Sequence, residues 1–171
     1  GALQTGPTKK NEESWIWAGG PARRFPETAV YEFTVQFGDP LELPVGRHGG
    51  AMFCASGPTS RWDPANRGYT IDWIDRQDGH GLRLIRQDGD GKTVNLQTGT
   101  PKIPDPPQVW RIEVTAYWIR CFGDGELLFQ IEDSTYRGGF FGLWAYEGGQ
   151  QLAITSASLG CVEPQPPPQP P

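Results

Sequence analysis

The chain has 171 residues and a formal net charge of −5, the size of one domain with tails. Glycine (23) and proline (17) make up almost a quarter of it, which excludes a helical bundle or coiled coil. The 15 cations, only 4 of them lysine, form no basic run, so the composition speaks against nucleic acid as a partner, and no apolar run approaches the ~18 residues of a membrane span.

Residues 1–13 are polar and read as a flexible N-terminal segment. Ser14-Trp-Ile-Trp17 opens the folded part, and two tryptophans two positions apart share one face of an early strand. They either cap a sandwich or form an exposed patch. Tyr31, Phe33, Val35 and Phe37 then alternate with Glu32, Thr34 and Gln36, a period of two. Further strands are predicted over 51–56, 68–74, 82–87, 93–96, 108–115, 118–122, 127–132, 140–146 and 151–159. Asp78-Gly79, Asp88-Gly-Asp-Gly91, Gly123-Asp-Gly125 and Gly148-Gly149 punctuate them, and Gly123-Asp-Gly125 between two alternating runs is a hairpin signal. No segment has helical periodicity beyond about one turn. Around ten short strands with tight turns predict an all-β fold, a two-sheet antiparallel sandwich or jelly roll, over residues 14–162. Residues 163–171, which include Pro164-Gln-Pro-Pro-Pro-Gln-Pro-Pro171, read as a polyproline II spacer. Such a spacer is expected to join the module to other domains of a longer chain.

Cys54, Cys121 and Cys161 leave two readings open: free buried thiols, or one bridge from Cys161 to Cys54 or Cys121. No Cys-x-x-Cys pair suggests zinc.

Four stretches follow one another in the C-terminal half. They are Trp110-Arg-Ile-Glu-Val, Trp118-Ile-Arg-Cys-Phe-Gly-Asp-Gly-Glu-Leu-Leu-Phe, Ile131-Glu-Asp-Ser-Thr-Tyr and Gly139-Phe-Phe-Gly-Leu-Trp-Ala-Tyr146. This order resembles the concanavalin A-like, laminin-G-like sandwich domains of bacterial secreted proteins. Those include carbohydrate-binding modules and the domains called 3-keto-disaccharide hydrolases. Arg67-Gly-Tyr-Thr-Ile-Asp-Trp73 and Gly81-Leu-Arg-Leu84 look like the middle strands of the same fold. The resemblance implies a secreted or cell-surface protein with a glycan or polysaccharide as partner. It leaves the activity open, because the fold hosts lectins, glycanases and lyases alike. Relatives often supply an Asp to a structural calcium from the last strand. Here that stretch reads Leu152-Ala-Ile-Thr-Ser156, with Thr155 in the Asp position. Glu132 and Asp133, with Asp88 and Asp90, remain as oxygen ligands for such an ion.

Catalytic signatures are weak. Asp72 and Asp75 are three apart, so they diverge on a strand, and Glu132 and Asp133 are adjacent and diverge as well. His48 and His80 stand in glycine-flanked, turn-like contexts with no triad signature around them or Cys54. Binding chemistry is better supplied: sugars offer apolar ring faces and hydroxyls, which aromatic platforms and polar side chains answer. Trp62, in the polar stretch Ser60-Arg-Trp-Asp-Pro-Ala-Asn-Arg67, is the favoured platform. Tyr69 and Trp73 share one face of a strand and Asp72 the other, with Arg76, Arg83 and Tyr146 as polar and rim contacts. Trp110, Trp118 and Trp144 read as core. The expected function is non-catalytic glycan binding. The alternatives are a glycoside hydrolase or lyase of the keto-disaccharide hydrolase type, and a structural adhesion or filament subunit.

Overall fold

The computed structural model describes residues 3–4, 13–17, 27–37, 48–60, 63–76, 79–97, 109–146 and 152–160, with some strand residues described by backbone only. Among the described residues twelve strands run in chain order: β1 (Leu3–Gln4), β2 (Glu13–Trp17), β3 (Ala29–Phe37), β4 (His48–Ala55), β5 (Arg67–Arg76) and β6 (Gly79–Gly89) form the first half. The second half is β7 (Lys92–Gln97), β8 (Val109–Val114), β9 (Trp118–Gly123), β10 (Glu126–Glu132), β11 (Phe140–Tyr146) and β12 (Leu152–Gly160). Among the described residues there is no helix.

The strands make two six-stranded sheets, ordered β1-β12-β3-β8-β9-β10 and β2-β11-β4-β5-β6-β7, and every neighbouring pair is antiparallel. The all-β sandwich expected from the alternation is therefore the observed fold. Leu3 and Gln4, expected to be loose, instead pair with Ile154 and Ala153. The proline-rich residues 163–171 lie outside the described residues.

Two-residue turns connect β6 to β7 and β9 to β10. Asp90 and Gly91 have φ of 52° and 70°, and Asp124 and Gly125 of 50° and 87°. Two successive positive φ values are the type I′ geometry whose twist matches a hairpin, which is why Asp-Gly occupies both turns. Asp124 also ties its hairpin to β8: its carboxylate accepts the Val109 amide at 2.9 Å, and its own amide donates to the Val109 carbonyl at 2.8 Å.

The sheets bury a common core that includes Tyr31, Phe53, Tyr69, Ile71, Leu84, Trp110, Ile112, Ile119, Phe129, Phe141 and Leu143. Tyr31 of one sheet stacks on Phe141 of the other at 4.6 Å, and Phe53 stacks on Tyr69 at 5.4 Å. Trp110 is in this core as expected. Trp118 is also buried, but it alternates with the core residues Ile119 and Cys121 on β9, which places it on the other side of the sheet. There the Arg120 guanidinium lies 4.4 Å above its ring. Cys54 and Cys121 are buried free thiols, so neither is bridged. Cys161 is outside the described residues.

Candidate functional site on the outer face of the second sheet

Register fixes which side chains share the outer face of the second sheet. Across β2, β11, β4, β5 and β6, one row reads Trp15, Trp144, Gly50, Asp72, Arg83, and the next reads Trp17, Gly142, Met52, Thr70, Ile85. Tyr69 and Ile71, one residue away on β5, face the core instead.

The aromatic end of this face is built by β2, an edge strand. Trp15 and Trp17 stack with centroids 5.1 Å apart and planes 4° apart, and Trp15 meets Trp144 at 6.2 Å. Gly142 makes this arrangement possible: a Cβ there would come within 2.6 Å of the Trp17 ring. Trp144 is fully buried, whereas Trp15 and Trp17 are half-buried and keep ring surface in reach of solvent. Trp144 is thus buried as the sequence suggested, but beneath the aromatic pair rather than between the sheets.

The polar end centres on β5 and β6. Asp72 is completely buried, and its carboxylate accepts an Arg83 NH donor at 2.6 Å across the register pair. A buried carboxylate is tolerated only with such a partner, so Asp72 holds the guanidinium rather than contacting a ligand itself. Arg83 keeps 36% of its side chain exposed. Among the described residues, the buried Arg83 Nε and the hydroxyl of buried Thr70 have no hydrogen-bond partner. Gly50 leaves the row between Trp144 and Asp72 without a side chain, and a Cβ there would meet the Ile71 carbonyl oxygen.

Of the residues selected from the sequence, the structure brings Asp72 and Arg83 together. It places Tyr69 elsewhere: fully buried in the core, with its hydroxyl donating to Asp133 at 2.5 Å. The reason is parity, since Tyr69 and Asp72 are three apart on one strand and face opposite ways. Trp73 occupies the register position opposite Gly49 and Leu82, Arg76 is opposite Gly79, and Tyr146 is opposite His48 and Glu13. Their side chains, and the whole of Trp62, lie outside the described residues. The Trp15–Trp17 platform is the main addition. Its signal was the Trp-x-Trp spacing, which leaves open whether the shared face is core or surface.

Asp133, considered for calcium, is committed elsewhere. One of its oxygens accepts Tyr69 Oη and, at 2.9 Å, the Thr135 amide, and the other accepts Arg86 at 2.8 Å. Arg86 also grips Asp88 with two bonds, at 2.8 and 3.1 Å. Glu132 is exposed, and no group of three or more His, Cys, Asp or Glu suited to a metal occurs among the described residues. Burial acts to raise the Asp133 carboxyl, but the bonds from Tyr69, Thr135 and Arg86 outweigh it and hold it below the ordinary carboxylate range. The Arg86 bonds lower Asp88 likewise, against a smaller effect of burial. Neither acid is poised to donate a proton at neutral pH. His48 and His80 are in strands rather than turns, on β4 and β6 with β5 between them. Cys54 is six residues along β4 from His48, about 20 Å at strand rise. Burial raises the Cys54 thiol to about 12, against weaker opposing effects of Arg137 and the Gly138 amide. These three residues do not form a nucleophilic site.

No family model and no curated protein sequence matches the chain. Solved structures do. The carbohydrate-binding module CBM66 from Bacillus subtilis superposes with a TM-score of 0.63 at 14% identity, over 93% of this chain and 94% of that one. A legume lectin-like domain from Entamoeba histolytica gives 0.64 at 12% identity, over 95% and 84% of the two chains. A Bacillus subtilis protein of unknown function with a galectin-like fold gives 0.67 at 12% identity, over 96% and 84%. At these identities the likeness concerns architecture alone: the chain has the concanavalin A-like β-sandwich fold also found in these carbohydrate-binding and lectin-like domains.

Proposed function

We propose that this chain is a non-catalytic glycan-binding module of a secreted or cell-surface protein, and that it binds polysaccharide on the outer face of the second sheet. The stacked, half-exposed Trp15–Trp17 pair is the observation that carries the reading. Each ring turns one face to the other, and the ring surface the pair leaves exposed suits the apolar C–H face of a sugar; on a folded strand it costs little ordering on binding. Arg83, held by Asp72, keeps 36% of its side chain exposed and presents guanidinium donors on the same face. The clamping of Asp88 and Asp133 by Arg86 supports the non-catalytic part, since a glycosidase needs one carboxyl that keeps its proton. Trp62 is retained as a second aromatic contact on the strength of its polar sequence context.

The test is a pull-down on insoluble polysaccharides with a glycan array, read by Trp fluorescence, on wild type, Trp15→Ala, Trp17→Ala, Arg83→Lys and Trp62→Ala. Losing one stacking ring is expected to weaken binding by about tenfold with the fold retained by circular dichroism. Arg83→Lys keeps the charge and removes the planar fork, and a smaller loss is expected. Unaltered binding in both β2 variants, or no binding of any glycan by wild type, would overturn the proposal.

A further inference from the structure

A separate pocket opens beyond the ion pair, where the loop before β5 meets the β6–β7 turn. It has a volume of about 150 Å³ and is lined by Asp63, Asn66, Gln87, Gly89, Gly91, Lys92 and Thr93. That is room for several waters, and of the order of one sugar ring rather than a chain. Its walls are fixed in advance. The Asn66 amide donates to the Thr59 and Ser60 carbonyls at 3.3 Å, and its oxygen accepts Ser56 Oγ at 3.1 Å and the Arg67 amide at 3.0 Å. The Asp90 amide donates to the Pro64 carbonyl at 2.5 Å and binds the loop to the turn. A cavity held this way loses little entropy on filling.

The lining groups set the ligand class. Asp63 uses one carboxylate oxygen on the Ala65 amide at 2.9 Å, and the other has no partner among the described residues. Lys92 is exposed and forms no ion pair among them. The Gln87 amide and the Thr93 hydroxyl, a cross-strand pair, add uncharged hydrogen-bonding groups. One anion and one cation cancel, so the pocket has no net charge but many donors and acceptors, which matches a polyol. Gln87 is also four residues from Arg83 on β6, on the same face and about 13 Å away at strand rise. We infer that this pocket binds one uncharged sugar residue of a glycan, as a second subsite distinct from the tryptophan platform. The inference takes its ligand class from the proposed function but shares no residue with that platform. Trp62, the aromatic picked out in the sequence, immediately precedes Asp63 in the chain.

The experiment is a titration of the labelled chain with methyl glycosides of neutral hexoses, and separately with glycine and a methyl hexuronide, followed by backbone amide NMR. Saturable shifts at Asp63, Gln87, Gly91 and Thr93 with at least one neutral glycoside are expected. Lys92→Ala and Thr93→Val, both at exposed positions, are expected to weaken them by about tenfold each, while Trp15→Ala leaves them unchanged. No saturable shift at these amides with any neutral glycoside overturns the subsite, even if polysaccharide pull-down persists. Shifts with glycine or the hexuronide alone overturn the ligand class. Pull-down unaltered in Trp15→Ala and Trp17→Ala with the shifts intact counts against the platform and supports the pocket.

Discussion

Replacing Asp133 by Ala tests the corner that joins β10 to β11. The side chain accepts from buried Tyr69, from the Thr135 amide and from Arg86. The Tyr69 hydroxyl cannot turn to water, because the residue is fully buried, and it also accepts the Tyr136 amide at 3.1 Å. Losing a hydrogen bond to a charged group from a buried donor costs about 2 kcal/mol. The Arg86 contact adds about 0.5 kcal/mol, discounted because that guanidinium is 22% exposed and still has Asp88. The turn bond to Thr135 adds about 0.5 kcal/mol more. The expected loss is therefore about 3 kcal/mol, or a fall of roughly 6–12 °C in Tm for a domain of this size. The assay is thermal and urea unfolding of wild type, Asp133→Ala, Tyr69→Phe and the double variant. The cycle should return a coupling of about 1.5 kcal/mol between the two residues. A coupling below about 0.5 kcal/mol would refute the reasoning. Calcium or a chelator should leave the wild-type Tm unchanged, since the Asp133 oxygens already have donors; a calcium-dependent rise lost in Asp133→Ala would assign the side chain to the ion instead.

Asp88 and Asp133 are both held low in the folded chain. The unfolded chain therefore takes up their protons first as pH falls. Their stabilisation is complete above about pH 5 and declines from about pH 4 downward, in a urea series that Asp133→Asn should flatten. Burial raises both Cys54, to about 12, and Cys121, so a thiol reagent at pH 8 should label at most one of the three cysteines in the native chain and all three after denaturation. Native labelling of Cys54 or Cys121 would contradict their burial. Gly50→Ala should cost more than about 3 kcal/mol or prevent folding, because its Cβ would overlap the Ile71 carbonyl oxygen, which is backbone and cannot move aside. Gly81→Ala, with nothing within 4 Å, should cost under about 1 kcal/mol, and equal effects at the two sites would refute the packing argument.

What the sequence determined by itself was local. Alternation such as Tyr31, Phe33, Val35, Phe37 has one solution, a strand with one buried face, and Asp-Gly pairs take the two positive φ values of a type I′ turn. Strand positions and the all-β class followed, with only the two-residue β1 unforeseen, because a strand that short has no period to read. What the tertiary structure decided was which face is which. On β5, Tyr69 and Ile71 are buried against the other sheet, but Thr70 and Asp72 are buried too, so hydrophobicity along the strand does not identify the core side. The candidate site is long-range for the same reason. Trp15 meets Trp144, and Tyr69 meets Asp133 64 residues away, through strand order and register that no local spacing encodes. Sheet topology placed a tryptophan pair and, four strands away on the same face, an arginine held by a buried acid, and that face is where the function is proposed.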